Sequence, residues 1–201
     1  MENIKIKRTA SAVDIILKIL QGFIIAGICV CVIFIPLMAI FGEKMVASAS
    51  NIELGAITFK LMGGKTEYLN MGSFKLCLIG MLAAVAVILA IGWYFVRVLR
   101  QILAPMKEGR PFEAGVSQKI RKLGWITLIG GAFTSVAGSI ATILELKCYD
   151  LNAVFSSPAI ESFSFNNRIG LGFIAAALLI FFLSFVFRSG EELQKESDET
   201  L

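Results

Sequence analysis

Residues Ile19 to Gly42, ILQGFIIAGICVCVIFIPLMAIFG, carry no charge and a single amide, Gln21. Crossing ~30 Å of hydrocarbon at ~1.5 Å per residue takes ~20 helical residues, and this run is long enough. Three further uncharged runs approach or exceed that length, Leu76 to Val96, Leu123 to Leu144 and Ile169 to Phe187, whereas the next longest, Leu151 to Ile160, is too short to span. Each of the four is continuously apolar. A barrel strand would alternate apolar and polar residues over ~10 positions, so the runs read as helices. The expected fold is therefore an all-α membrane protein: one four-helix transmembrane bundle over 1–201, with spans near 16–42, 75–100, 118–145 and 169–189 and an acidic tail from 190 to 201.

Composition agrees with lipid as the solvent. The 201 residues are 57% hydrophobic and only 17% charged, with a mean hydropathy of +0.79, well beyond what a soluble domain needs. Orientation follows from the basic residues. Lys5, Lys7, Arg8 and Lys18 precede the first span, Arg97, Arg100, Lys107, Arg110, Lys119, Arg121 and Lys122 join the second to the third, and Arg188 and Lys195 follow the fourth. The other two connections hold only Lys44, Lys60, Lys65, Lys75, Lys147 and Arg168. The positive-inside rule then places both termini and the middle connection in the cytoplasm. Trp93, Tyr94 and Trp125 fall at that same interface, where amphipathic rings prefer to sit. A secretory signal ending at Ala47-Ser48-Ala49 is the rival reading of the N-terminus. The apolar run is about twice the length of a signal h-region, and Glu43 and Lys44 intervene, so a retained first span is expected.

The chemistry of catalysis is sparse. There is no histidine, which excludes a His-dependent catalytic arrangement or His zinc site; no cofactor or metal is implied, and the chain reads as a non-enzyme. Cys29 and Cys31 are ~200° apart on a helix and cannot chelate one ion together. Cys77 and Cys148 share a side of the membrane and could pair, or serve as small apolar residues. No ionisable residue lies within the uncharged runs, which is poor support for an ion pathway. Pro36 frees the Val32 carbonyl and can kink the first span.

Small residues mark where helices can approach. Gly130, Thr134, Gly138 and Thr142 recur every fourth residue beside Gly131, Ser135 and Ser139, with Gly80, Ala84 and Gly92 a weaker row on the second span and Gly172 and Ala176 on the fourth. Such rows serve packing within one chain or a homo-oligomer. Between the first two spans, Ile52 and Leu54, then Ile57, Phe59 and Leu61, alternate with a phase slip at Ala56. Gly63-Gly64 could turn a hairpin whose return strand passes Tyr68, and Phe163 and Phe165 alternate in the second external segment, so a small external β-cap is one reading and mere shielding of helix ends the other.

The face expected to be cytoplasmic is the candidate contact surface for a partner or for lipid. Its middle connection offers Arg97, Arg100, Lys107, Arg110, Pro111, Phe112, Lys119, Arg121 and Lys122; its tail offers Glu191, Glu192, Glu196, Asp198 and Glu199 against Lys195 alone. Segments of opposite sign on one side of a membrane can fold together, with anionic headgroups competing for the same basic residues, and a solvated acidic tail is the plainer alternative.

Lys107-Glu108-Gly109-Arg110-Pro111-Phe112, followed by Lys119-Ile120-Arg121-Lys122-Leu123-Gly124, resembles the middle loop of the small four-span bacterial membrane proteins catalogued as domain of unknown function 2975. Phe187, Gly190, Leu193-Gln194, Glu196 and Asp198-Glu199-Thr200-Leu201 resemble that family's closing pattern. Where the family tends to show a small hydroxyl residue and an Asn before the third span, this chain has Glu113-Ala114-Gly115, which leaves Ser117 as the expected N-cap. The resemblance implies a multi-pass protein of the bacterial inner membrane without enzymatic activity. Members are often encoded beside a small helix-turn-helix regulator, which implies a membrane partner that holds or releases a DNA-binding protein, without binding nucleic acid itself. The competing class is small-molecule transport or immunity-type membrane protection, whose candidate polar residues are Gln21, Thr127, Thr134 and Ser135.

Overall fold

The computed structural model describes residues 2–47, 52–54, 57–61, 71–148, 160–165 and 170–199. Four long helices dominate: α1 Glu2–Ala47, α2 Met71–Glu108, α3 Val116–Cys148 and α4 Gly172–Glu199. Each contains a stretch long and apolar enough to cross a membrane, and the chain is a multi-pass membrane protein. The exposed surface supports this, because Phe23, Ile40, Leu179 and Phe185 each show about 70% of their area to the surroundings. Side chains of that size face outward in such numbers only where the surroundings are hydrocarbon. The helices extend past the expected spans, so most of the basic middle connection is helical and the loop proper is only 109–115. α1 continues through Pro36 and α2 through Pro105.

Three short strands, β1 Ile52–Leu54, β2 Ile57–Leu61 and β3 Ile160–Phe165, form an antiparallel sheet in the order β1-β2-β3. β1 and β2 pair with Ile52 opposite Phe59 and Leu54 opposite Ile57, and the phase slip expected at Ala56 lies outside the described residues. β2 then pairs with β3, Phe59 opposite Phe163, so among the described strands β2 is the central one. Gly63-Gly64 and Tyr68 themselves lie outside the described residues, as does the side chain of Cys148 and with it the pairing weighed for Cys77.

The chain divides into two compact units, one of residues 1–28, 88–133 and 171–201, the other of 29–87 and 134–170. The first holds the candidate contact residues. Its core is Val98 and Ile102 of α2 with Val116, Ile120 and Leu123 of α3, flanked by Ile180 and Phe187 of α4. Turns at both ends of the 109–115 loop aim α3 back along α2. Gly109 (φ 84°) closes α2, its N–H donating to Met106 O at 3.1 Å while Arg110 N–H donates to Pro105 O at 3.0 Å. That pair of bonds is the Schellman pattern, which needs a left-handed residue at its turning point. Gly115 (φ 92°) precedes α3, and its carbonyl accepts the first helical bond, from Lys119 N–H at 3.3 Å. A Cβ at Gly115 would meet nothing within 4 Å, so the backbone conformation alone demands glycine. Gly115→Ala is expected to lower stability in mild detergent by about 1 kcal/mol. Gly138→Ala, mid-helix with open space around it, is expected to leave stability unchanged or raise it by up to ~1 kcal/mol. Thermal unfolding of the two variants side by side checks this.

Candidate functional site

The start of α3 has the geometry that organises this unit. A helix leaves its first N–H groups without intrahelical acceptors, and the sequence points to Ser117 as the N-cap that supplies one. The structure corrects this. Gly115 occupies the N-cap position and, having no side chain, caps nothing, while Ser117 is the second residue of the helix. The acceptor comes from another helix: Glu191 of α4 takes the Ser117 N–H on Oε1 at 2.6 Å and the Ser117 hydroxyl on Oε2 at 2.9 Å. Ser184, two turns back on α4, donates its hydroxyl to the Ser117 carbonyl at 2.8 Å. Ser117 and Ser184 are buried, and a carboxylate at a helix N-terminus also meets the positive end of the dipole.

Apolar contacts fasten the same junction. Phe112 of the loop packs on Phe187 with ring centroids 5.4 Å apart and the rings tilted 45° to each other. A Cβ on Gly190 would lie 2.5 Å from the Phe112 ring, so only glycine allows the loop to seat there. Loop and tail do come together, then, and the ion pairs seen at Arg110, Arg188 and Lys195 run within the loop and within α4 rather than between them. Arg110 pairs with Glu108 and Glu113 of its own turn, which hold its guanidinium above its ordinary pKa, Glu108 most. Arg188 pairs with Glu192 at 3.1 Å and Lys195 with Glu199 at 3.5 Å, each one turn along α4. Neighbours four residues apart on a helix are simply nearer than the loop. Glu196 is exposed, and the side chain of Asp198 lies outside the described residues. Between loop and tail an open groove of about 740 Å³ is lined by Arg110, Phe112, Arg121, Arg188, Glu192 and Lys195, with Pro111 in the loop beside it.

A second polar cluster joins α1 to α2, and the sequence reading does not contain it. Asp14 of α1 is 5% exposed and accepts from Arg100 Nε of α2 at 2.9 Å and from Lys107, with Lys18 at 3.6 Å. Arg100 also donates to Gln21 Oε1 at 2.8 Å, which gives the one amide of the first span a structural partner. Arg97 lies over the Trp93 ring, 5.4 Å from its centroid.

The small-residue rows divide. Gly130 faces Ile91 of α2 at 3.0 Å from a built Cβ, and Gly131 faces Phe173 of α4 so closely that a Cβ has no room. Gly80, Gly92 and Gly138 have nothing within 4 Å and do not mark close approaches among the described residues. The first glycine of each row of the third span is therefore the one in close contact, Gly130 with α2 and Gly131 with α4, while Gly138, two turns along the Gly130 row, is not. Two glycines outside the rows do the same work, Gly27 against Leu89 at 3.2 Å and Gly124 against Phe181 at 2.7 Å. Thr134, Ser135 and Ala84 lie on the same helices, and Ser135 supplies a carbonyl to the Ser139 hydroxyl at 3.0 Å. Thr127 and Thr142 likewise donate to carbonyls four residues back, Leu123 and Gly138, each at 3.0 Å, so these hydroxyls satisfy their own helix.

Comparison with models of known protein families, with curated proteins and with solved structures finds no match.

Asp14→Asn removes the carboxylate from Arg100 and Lys107 while keeping its shape. Breaking a largely buried ion pair costs about 3 kcal/mol, less whatever solvent or headgroups recover at the third-exposed cations. A fall in thermal stability of about 2 kcal/mol is expected, against little change for Glu199→Gln, whose pair with Lys195 is exposed.

Proposed function

We propose that the protein is a non-enzymatic regulatory partner that holds a small helix-turn-helix DNA-binding regulator at the cytoplasmic face of a bacterial inner membrane. One observation carries the reading: α4 continues as a single helix to Glu199, and its base is anchored by the Glu191–Ser117 and Phe112–Gly190 contacts. A tail anchored in this way presents a defined surface rather than a random one, so less ordering entropy is lost when a partner binds. That surface is acidic, with Glu192 and Glu199 about two-thirds exposed. Leu193 is 67% exposed among them, an apolar contact in an acidic field. A DNA-binding domain carries the complementary basic charge, and the seven Lys and Arg residues of the middle connection support a cytoplasmic placement of this face. The resemblance of the Lys107 to Phe112 loop and of the tail to domain of unknown function 2975 supports the same partner class.

The structure dictates how the test must be cut. Removing everything after Gly190 would delete Glu191 and uncap α3, whereas a chain ending at Gln194 keeps the cap and loses Glu196, Asp198 and Glu199. The full-length protein, purified from native membranes in mild detergent, is expected to retain a small DNA-binding protein that the chain ending at Gln194 loses by tenfold or more. Identification of co-eluting proteins by mass spectrometry reads this out. Equal recovery with the two chains would remove the tail from the reading, and recovery with neither would end it.

A further inference from the structure

We infer that the first two turns of α3 form a headgroup site for an anionic phospholipid, with Lys119 and Lys122, one turn apart, holding the phosphate, Arg121 at the rim of the same recess and Trp125 seated at the glycerol level. The inference stands apart from the regulator proposed above, and it requires only that this end of α3 lie at a membrane interface.

Charge compensation across the unit singles these three residues out. Lys18, Arg100 and Lys107 share Asp14; Arg110 has Glu108 and Glu113; Arg188 has Glu192; Lys195 has Glu199. Arg97 has the face of Trp93. Among the described residues, Lys119, Arg121 and Lys122 have no carboxylate within 4 Å, although they lie within four consecutive positions. Lys119 and Lys122, neighbours one turn apart on α3, repel one another unless an anion lies between them. Protein acids on the same unit are engaged elsewhere, Glu191 on Ser117 and Glu192 and Glu199 within α4.

The cations also line a recess. Gln118, Lys119, Arg121 and Lys122 surround an open cavity of about 820 Å³ whose far wall is Trp125 and Phe181. Gly124 builds that wall: its missing Cβ lets the Phe181 ring lie against α3, and Trp125 meets Phe181 edge to face at 5.5 Å. Position along the helix then selects the ligand. Lys122 stands three residues before Trp125 and seven before Ile129, on one side of α3, and Trp125 and Ile129 are 53% and 62% exposed. Moving along that side passes from ammonium to indole to aliphatic chain, the polarity order of a phospholipid from phosphate to glycerol to acyl tail. A soluble acidic peptide matches the cations but gains nothing from the apolar continuation, so lipid is the occupant that uses the whole surface.

The test uses the full-length chain with Trp93→Phe, which leaves Trp125 as the sole tryptophan. Reconstituted in phosphatidylcholine vesicles, its fluorescence is read as a small fraction of either brominated phosphatidylglycerol or brominated phosphatidylcholine is added. Preferential quenching by phosphatidylglycerol is expected. K119Q/K122Q should lower the relative affinity about fivefold per lysine removed, and K119R/K122R should keep it. Neither lysine lines the groove beside the tail, so regulator recovery in K119Q/K122Q is expected to be unaltered and the two readings fail separately. Equal quenching by the two lipids, or a preference that survives K119Q/K122Q, overturns the assignment. Displacement of phosphatidylglycerol by soluble polyglutamate overturns it in favour of a protein ligand.

Discussion

An amide at the start of a helix needs an acceptor, and at α3 the acceptor is a carboxylate 74 residues away in sequence. Everything near the 109–115 loop is arranged by that requirement. Gly115 can start the helix at a left-handed backbone angle because it is not required to cap it. Glu191 can cap it only if α4 runs straight past the loop, which the seat of Phe112 on Gly190 and Phe187 enforces. A local Ser or Asp cap would have satisfied the same N–H without constraining anything else. The cap from α4 makes the direction of the acidic tail a consequence of how the bundle packs.

The Asp14 cluster solves the companion problem for charge. A basic middle connection orients the protein in the membrane, but Arg100 and Lys107 sit on α2 where it packs beside α1, and unpaired cations there would be costly. One buried carboxylate serves both, with Gln21 Oε1 accepting from Arg100 Nη1. The result ties α1 to α2 by polar contacts at the end where the α2, α3 and α4 core is built from Val98, Ile102, Val116, Ile120 and Leu123.

How much of this is legible in the sequence depends on the range of the interaction. The four helices are, because an uncharged run of span length has hardly any stable home except hydrocarbon. So is the end of α2, where Gly109 followed by Pro111 is a local stop signal with local bonds. The charged members of the Asp14 cluster lie beyond the edges of the uncharged runs, and only Gln21 inside the first run marks it there. A fainter signal exists: Ala10, Asp14 and Leu17 share one buried face of α1, and Arg100 and Lys107 are seven apart on α2. The role of Glu191 leaves no such trace, since nothing local distinguishes it from Glu192 beside it. Which glycines carry close contacts is equally hidden, because Gly138 continues the row that includes Gly130 and yet faces open space.

The two kinds of contact at the base of α4 differ in what can undo them. The Phe112–Phe187 contact and the Gly190 seat are apolar and indifferent to ionic conditions. The Glu191 bonds to Ser117 are charge-assisted, and they lapse if the carboxylate is drawn to a stronger cation. Arg121, four residues from Ser117, lines the groove that Glu191 also lines and carries no carboxylate of its own among the described residues. An anion bound by Arg121 keeps that guanidinium from competing for Glu191 and leaves the cap in place. Charge at Arg121, and not at Lys119 or Lys122, which lie outside that groove, is therefore what bears on the contact that holds α4 against α3.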